Sequence, residues 1–154
     1  MVDSGSLGRF RPAAGVVGAL LRFGARPSPA SRDRFLRQVL FDLERTRAEW
    51  GDLWTALEAY DLDQAGRPSV DVASRQMLLR IGVRRIPPDQ LDKISVPVTL
   101  IWGRADRLMR LRIAEKASEQ FGWPLYPIED CGHGPHIERP EAFLEALTDG
   151  TAAG

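Results

Sequence analysis

One apolar run in the chain, Val96-Pro97-Val98-Thr99-Leu100-Ile101-Trp102, leads directly into Gly103-Arg104-Ala105-Asp106. β-Branched and apolar residues bounded by proline and glycine are typical of a buried strand. Residues 110–121 then have the spacing of an amphipathic helix, and Leu125-Tyr126-Pro127-Ile128 predicts a second strand, which Pro127 confines to a sheet edge or a strand end. Pro140 is placed to begin a final helix. This order of strand, helix, strand and helix predicts a parallel α/β sheet.

Upstream of residue 95 the apolar spacing is helical, and we find no convincing strand there. We expect Ser31 to cap a first helix, and the pattern Thr46-x-x-Glu49 predicts a capping box that opens a second one. A polar stretch over residues 61–68 precedes a third helix, which we expect to end at Gly82. The residues predicted to share one stripe of the second helix are Trp50, Leu53, Trp54, Leu57 and Tyr60.

The composition of the 154-residue chain is that of an ordinary globular protein, with 44% hydrophobic and 27% charged residues. Lys+Arg and Asp+Glu both number 21, so there is no net charge to attract nucleic acid or anionic lipid. The single cysteine, Cys131, excludes an internal disulfide and fits a reducing compartment. No stretch approaches the length of a membrane span. We therefore expect a cytoplasmic protein that binds neither nucleic acid nor membrane.

Two side chains with acid–base chemistry follow the predicted strands. Asp106 ends the first strand in the pattern Gly-x-x-Asp, and His133 follows the second strand between Gly132 and Gly134. Parallel α/β sheets place their sites at the C-terminal ends of strands, so we expect these two residues to lie close together. A histidine can take up and return a proton near neutral pH, and an aspartate on its other ring nitrogen fixes the tautomer.

The same two segments resemble the α/β-hydrolase family. The residues from Ile94 to Asp106 are similar to the family's penultimate strand, which ends in Gly-x-x-Asp. The loop that begins at Cys131 is similar to the one after the last strand, in which Gly-His precedes Glu-x-Pro-x-x-Phe; here that motif is Glu138, Pro140 and Phe143. The resemblance implies that Asp106 is the acid and His133 the base of a catalytic triad, with no cofactor and no metal.

The resemblance also implies how the chain is organised. Residues 1–8 are similar to the end of a core strand and its exit loop, residues 9–93 would form a helical cap, and residues 94–154 would form the C-terminal part of the core. The expected fold class is α/β. More narrowly, we expect an incomplete α/β-hydrolase fold, in which a helical cap is followed by the last two parallel strands and their helices.

The nucleophile of the family is not identified in the sequence. The family carries it in Gly-x-Ser-x-Gly, upstream of the acid, and this chain has no such pattern. The nearest match is Ser6, but too few residues precede it to form the strand of a nucleophile elbow, so Ser6 is disfavoured. We interpret Cys131 as a small buried residue and His136, which lacks a preceding glycine, as a surface or supporting residue. The resemblance thus implies that the nucleophile and the oxyanion hole lie outside these residues.

Two functions from different classes follow. The first is hydrolysis of an ester, amide or C–C bond in a small, partly apolar substrate. The candidates for the roof of its pocket are Phe35, Trp50, Trp54 and Met77, although we favour packing in the helical core for each of them taken singly. Related folds in dehalogenases and epoxide hydrolases use an aspartate nucleophile, so the reaction class depends on the missing part. The second is a non-catalytic remnant or an interaction module. Its sheet would be completed by another chain through an uncovered edge at residues 96–102, which would also favour self-association.

Overall fold

The computed structural model describes residues 1–2, 4, 7–8, 13–80 and 86–152, with the backbone alone for residues 75 and 77–80. The candidate nucleophile Ser6, the helix stop Gly82 and the side chain of Met77 lie outside this description. The described elements are, in order, α1 (Ala14–Ala25), α2 (Pro29–Val39), α3 (Leu43–Trp50), α4 (Asp52–Ala65), α5 (Pro68–Arg80), α6 (Pro88–Leu91), β1 (Leu100–Gly103), α7 (Arg112–Phe121), β2 (Leu125–Ile128), α8 (Pro135–Glu138) and α9 (Pro140–Ala152).

β1 and β2 form a two-stranded parallel sheet, which confirms the predicted α/β order. The pairing runs from Leu100 opposite Leu125 to Gly103 opposite Ile128. Successive residues of β1 face opposite sides: one side packs in an apolar cluster with α7, and the other packs in a cluster with α9. The sheet is therefore covered by a helix on each face, as a parallel sheet requires.

The first strand is shorter than predicted, although the second has the predicted bounds. β1 begins at Leu100 because this residue pairs with Leu125, the first residue of β2. The preceding Pro97 has no N–H to donate to a ladder, and Val96 is exposed. The last helix begins at Pro140 as predicted. The short helix α8, which lies between the loop of His133 and α9, was not predicted from the sequence.

The helical segment, α1–α5, is built from more helices than the spacing predicted, and two capping predictions were wrong. Ser28 caps α2, and Ser31 instead supplies the third helical position of the capping box. Asp42 caps α3 by accepting from the N–H of Arg45. Thr46 lies inside α3, where its hydroxyl donates to the carbonyl of Asp42. A serine or threonine near a helix start satisfies the capping rules at several neighbouring positions, so the pattern could not select the right one.

The predicted stripe of apolar residues is broken at Gly51, where α3 ends and α4 begins. Trp54 is buried in the cluster of the helical segment, but Leu53 and Tyr60 are largely exposed. The guanidinium of Arg32 lies 4.8 Å from the ring centroid of Trp54 and is itself buried. Its Nε donates to Asp61 at 2.8 Å. The buried guanidinium of Arg32 thus packs on Trp54 and joins α2 to α4.

The first two residues lie beside β1, on the side away from β2. Val2 forms an isolated parallel bridge with Ile101, whose N–H donates to the carbonyl of Met1 at 2.9 Å. The edge of β1 is therefore partly covered at Ile101, and self-association through an uncovered edge stays a prediction. Among the helices that the structure describes, none has the length and apolar character needed to cross a membrane.

Two glycines allow the end of β1, the loop after β2 and the helical segment to meet. A Cβ on Gly103 would overlap the carbonyl oxygen of Gly132, and a Cβ on Gly132 would overlap the carbonyl oxygen of Val39. The atoms that a Cβ would overlap belong to the backbone, so they can move only if β1, the loop after β2 and the helical segment move apart. Glycine is required at both positions because of this close approach.

We predict that Gly103→Ala lowers the free energy of unfolding by about 3 kcal/mol, the upper end of the usual cost of overpacking. Gly18→Ala is the matched control: a Cβ on Gly18, which lies in α1, would meet no atom within 4 Å, so alanine should raise stability by about 0.5–1 kcal/mol. Urea unfolding followed by circular dichroism measures both changes. Equal stabilities for the two variants would contradict the close approach at Gly103.

Candidate active site

Asp106 is held in a turn that begins where β1 ends. Its N–H donates to the carbonyl of Gly103 at 3.2 Å. Its Oδ1 accepts from the backbone N–H groups of Leu108 and Met109 at 2.7 and 2.8 Å. The buried indole of Trp102 donates to the carbonyl of Met109 at 2.6 Å and closes the turn onto the strand. One carboxylate oxygen is thus occupied by the turn, which leaves Oδ2 to face another element.

His133 lies in the loop that follows β2, and its ring meets the free oxygen of Asp106. Nδ1 of His133 lies 2.8 Å from Oδ2 of Asp106. The aspartate side chain is fully buried, whereas the histidine side chain is 31% exposed. Because the carboxylate accepts at Nδ1, that nitrogen carries the proton in the neutral ring. Nε2 has no hydrogen-bond partner among the described residues and is available for proton transfer.

The pair lies together because β1 and β2 are parallel and end in register. The N–H of Arg104 donates to Ile128, and the N–H of Ala105 donates to Cys131, both at 2.9 Å. These two bonds extend the pairing beyond the strands and hold the Asp106 turn beside the His133 loop (residues 131–134). The predicted placement of both site residues is therefore what the structure has; their catalytic roles stay a prediction.

The other residues singled out from the sequence lie outside this pair. Cys131 is buried, as predicted for a small core residue. His136 is exposed in α8 and packs edge-on against Phe143, with ring centroids 6.1 Å apart. Among the described residues, no group of three or more His, Cys, Asp or Glu side chains is placed to hold a metal ion.

A shallow groove of about 530 Å³ opens at the exposed side of His133. Most of its walls are apolar and come from α2 and α8; the lining residues are Val2, Leu36, Val39, Leu40, His133, Gly134, His136 and Ile137. Phe35, Trp50 and Trp54, the candidates for a roof, do not line this groove; they belong to the apolar cluster of the helical segment, which confirms the packing that we favoured for each. Helical spacing identified which helices carry apolar faces, but not which face turns towards His133.

The helical segment contacts the His133 loop and α8 through polar bonds that the sequence did not predict. The backbone N–H of His133 donates to the carbonyl of Val39 at 2.8 Å. The indole of Trp50 donates to the carbonyl of Ile137 at 2.9 Å. Glu138, which the sequence suggested only as part of a helix-opening motif, is fully buried behind the loop. A glutamate that precedes a proline-initiated helix and follows a glycine-rich loop is a signal that could have identified it.

Comparison with known proteins gives consistent matches to one family. Residues 1–146 match the model of the "Alpha/beta hydrolase family". The chain is 32% identical over 92 residues to the uncharacterized hydrolase YugF of Bacillus subtilis (strain 168), a match that covers 57% of this chain and 34% of that protein. It is 32% identical over 62 residues to the monoacylglycerol lipase abhd6-B of Xenopus laevis, covering 40% of this chain and 18% of that protein.

A solved structure shares the fold over nearly the whole chain. The 2-hydroxy-6-oxo-6-phenylhexa-2,4-dienoate hydrolase from Rhodococcus sp. strain RHA1 superposes with a TM-score of 0.72 at 21% identity, covering 96% of this chain and 52% of that one. At this identity the likeness concerns the fold alone. The chain thus spans about half of that solved structure and a smaller share of the two curated relatives.

We predict that Asp106→Asn changes the tautomer of His133. Oδ1 must still accept from the N–H groups of Leu108 and Met109, so the new amide nitrogen would face Nδ1 and donate to it. The ring would then carry its proton on Nε2. Long-range ¹H–¹⁵N correlation spectra of the imidazole distinguish the two tautomers. The control, Asp149→Asn, removes an exposed carboxylate from α9 and should leave the pattern unchanged; an unchanged pattern in both variants would contradict the pairing.

Proposed function

Because the chain belongs to the α/β-hydrolase family, we propose that it supplies the acid and the base of a hydrolytic triad, Asp106 and His133. The nucleophile and the oxyanion hole would come from residues outside this chain. The observation that carries the proposal is the 2.8 Å hydrogen bond between the fully buried carboxylate of Asp106 and the imidazole of His133, whose side chain is partly exposed and lines a groove.

The proposed chemistry is proton transfer through His133. Nε2 takes the proton from the nucleophile as it attacks a carbonyl carbon, and the imidazolium that forms is stabilised by the carboxylate of Asp106. His133 then returns the proton to the leaving group. The second half of the reaction uses the same nitrogen. Nε2 takes a proton from the water that attacks the covalent intermediate, and gives this proton to the nucleophile as the second product leaves.

We propose a small, partly apolar substrate with an ester, amide or C–C bond to be cleaved. The groove beside His133 supports this, because its walls from Leu36, Leu40 and Ile137 are apolar and can remove an apolar group from water. The name of one matched protein, a monoacylglycerol lipase, denotes a substrate with an apolar part. The choice between ester and carbon–carbon cleavage would depend on the nucleophile and on the groups around it.

The proposed organisation assigns each part of the chain a place in this reaction. Residues 1–8 would end a core strand, which the bridge between Val2 and Ile101 supports. Residues 9–93 would act as a cap over the groove, which the contact of α2 with the His133 loop supports. Residues 94–154 would form the C-terminal part of the core that carries the acid and the base.

We predict that the isolated 154-residue chain hydrolyses a chromogenic ester no faster than buffer does. Triad residues act as a unit, and loss of the nucleophile alone removes about 10⁶-fold in rate. Stopped assays with p-nitrophenyl esters measure this. Turnover that disappears in His133→Ala but persists in His136→Ala would place the nucleophile within the chain, and its loss in Ser6→Ala as well would identify Ser6.

The acid–base roles can be tested in whatever species carries this sequence in its source cells, after its intact mass has been compared with 17.1 kDa. In a longer, active species, His133→Ala should lower kcat by about 10⁴-fold or more, since the proton transfer is lost. Asp149→Asn, a change of an exposed residue of α9 that does not line the groove, should alter kcat by less than about threefold. Comparable losses in the two variants would refute the assignment of His133 as the base.

A second candidate function is a non-catalytic module whose sheet is completed by another polypeptide segment. The observation that favours it is that, in the described residues, only Met1 and Val2 lie beside β1 on the side away from β2. A short covered edge can pair further with an incoming strand. Light scattering after gel filtration separates the alternatives: self-association that Val2→Pro abolishes would support this function.

A further inference from the structure

Glu138 is a buried carboxylate that no described cation neutralises. Its side chain is fully buried, and no ion pair to it is present among the described residues. A buried charge is costly unless hydrogen bonds satisfy it. The groups that satisfy this one are therefore informative about what the residue holds in place.

One oxygen of Glu138 is bonded to both sides of His133. Oε1 accepts from the N–H of Gly132 at 2.9 Å and from the N–H of Gly134 at 3.2 Å. These are the residues immediately before and after His133, so the carboxylate spans the backbone that carries the imidazole. Hydrogen bonds to an ionised acceptor are about twice as strong as those between neutral groups. The backbone of the His133 loop is thus fixed by a buried side chain that does not line the groove.

The other oxygen of Glu138 is bonded to the helical segment. Oε2 accepts from the N–H of Phe41 at 2.6 Å, in the turn between α2 and α3 (residues 39–42). The same turn receives a bond in the opposite direction, because the N–H of His133 donates to the carbonyl of Val39. The α2–α3 turn and the His133 loop are therefore connected twice, once directly and once through the two oxygens of one carboxylate.

We propose that Glu138 is a positioning residue that clamps the His133 loop to the α2–α3 turn and so makes the orientation of the imidazole depend on the docking of the helical segment. This rests on the proposed role of His133 as base, and deepens it by naming what regulates that base. A displacement of the turn, as when a substrate enters the groove lined by Leu36 of α2 and Leu40 of the turn, would be transmitted to His133 through the carboxylate.

The test is Glu138→Gln, which keeps the size of the side chain and replaces one acceptor oxygen by an NH₂ donor. If the amide oxygen stays with Gly132 and Gly134, the NH₂ group must face the N–H of Phe41, and that bond is lost. We expect the amide of Phe41 to exchange with deuterium at least tenfold faster. We also expect the Nδ1–H proton of His133 to exchange with water at least tenfold faster, as the loop loses its attachment to the turn.

Two control variants separate positioning from general effects. Glu141→Gln removes an exposed carboxylate from the first turn of α9 and should change neither exchange rate. Ala117→Gly weakens α7, which packs on the face of the sheet opposite to α9. This change lowers the stability of the protein without altering the hydrogen bonds of Glu138. An equal acceleration at His133 in Ala117→Gly and in Glu138→Gln would show that stability, and not positioning, controls the signal, and would overturn the proposal.

Asp106→Asn distinguishes failure of this inference from failure of the proposed function. If Asp106→Asn alters the imidazole spectrum and Glu138→Gln leaves it unchanged, the acid–base pair stands and the clamp does not exist. If Asp106→Asn has no effect, the pair itself is absent and the proposed function fails with it.

A measurement on the unchanged chain decides the matter even where Glu138→Gln does not fold. The amides of Phe41, Gly132 and Gly134 share one acceptor side chain, so we expect their exchange to be slowed together and to respond in parallel to low concentrations of urea. Protection of Gly132 and Gly134 with a Phe41 amide that exchanges a hundredfold faster would refute the coupling between the loop and the turn.

Discussion

The parallel pairing of β1 with β2 is the constraint from which the rest of the structure follows. It ends with Gly103 opposite Ile128, and two further backbone bonds, from Arg104 to Ile128 and from Ala105 to Cys131, carry the register into the following loops. Two polypeptide segments that are far apart in sequence therefore leave the sheet side by side. The Asp106 turn and the His133 loop occupy those two exits, and their meeting at 2.8 Å is a consequence of the shared register.

Close approach at this exit depends on residues without side chains. Gly103 lies against the carbonyl of Gly132, and Gly132 lies against the carbonyl of Val39. Strand, loop and helical segment are thus stacked backbone against backbone, with no room for a Cβ at either glycine. Such contacts leave the polar groups of the loop facing inward, where they need partners. Glu138 supplies acceptors for two of them, and Val39 supplies one for His133.

The polar attachments behind His133 contrast with the apolar surface in front of it. Behind the loop, a buried carboxylate and backbone carbonyls hold the peptide groups in place. In front, Leu36, Leu40 and Ile137 form the walls of a groove into which the exposed side of the ring opens. A histidine that is fixed by its backbone and oriented through Nδ1 has the arrangement that the proposed proton transfer requires. The same helix, α2, contributes to both sides, since it carries the groove residues and ends at Val39.

Much of this could be predicted from the sequence, because the deciding signals are local. The bounds of β2, the start of α9 at Pro140 and the position of Asp106 after Gly103 all depend on residue types at fixed spacing, and they agree with the structure. The capping residues were harder, because Ser28 and Ser31, or Asp42 and Thr46, satisfy the same local rules. Which faces of α2 and α4 would turn inward was also undetermined: Leu53 and Tyr60 fit a stripe that Gly51 interrupts.

The sequence by itself determined the strand, helix and strand of residues 100–128, the family and the two residues that meet at the sheet. Only the tertiary structure decided what supports them. The buried carboxylate of Glu138 is joined to Phe41, 97 positions earlier in the chain, and Trp50 to Ile137, 87 positions later. Each of these hydrogen bonds joins a side chain to a backbone group. Because backbone groups are common to all residues, no pattern of residue types predicts which one will be the partner. The bonds arise when packing brings two segments together and each buried N–H must find an acceptor.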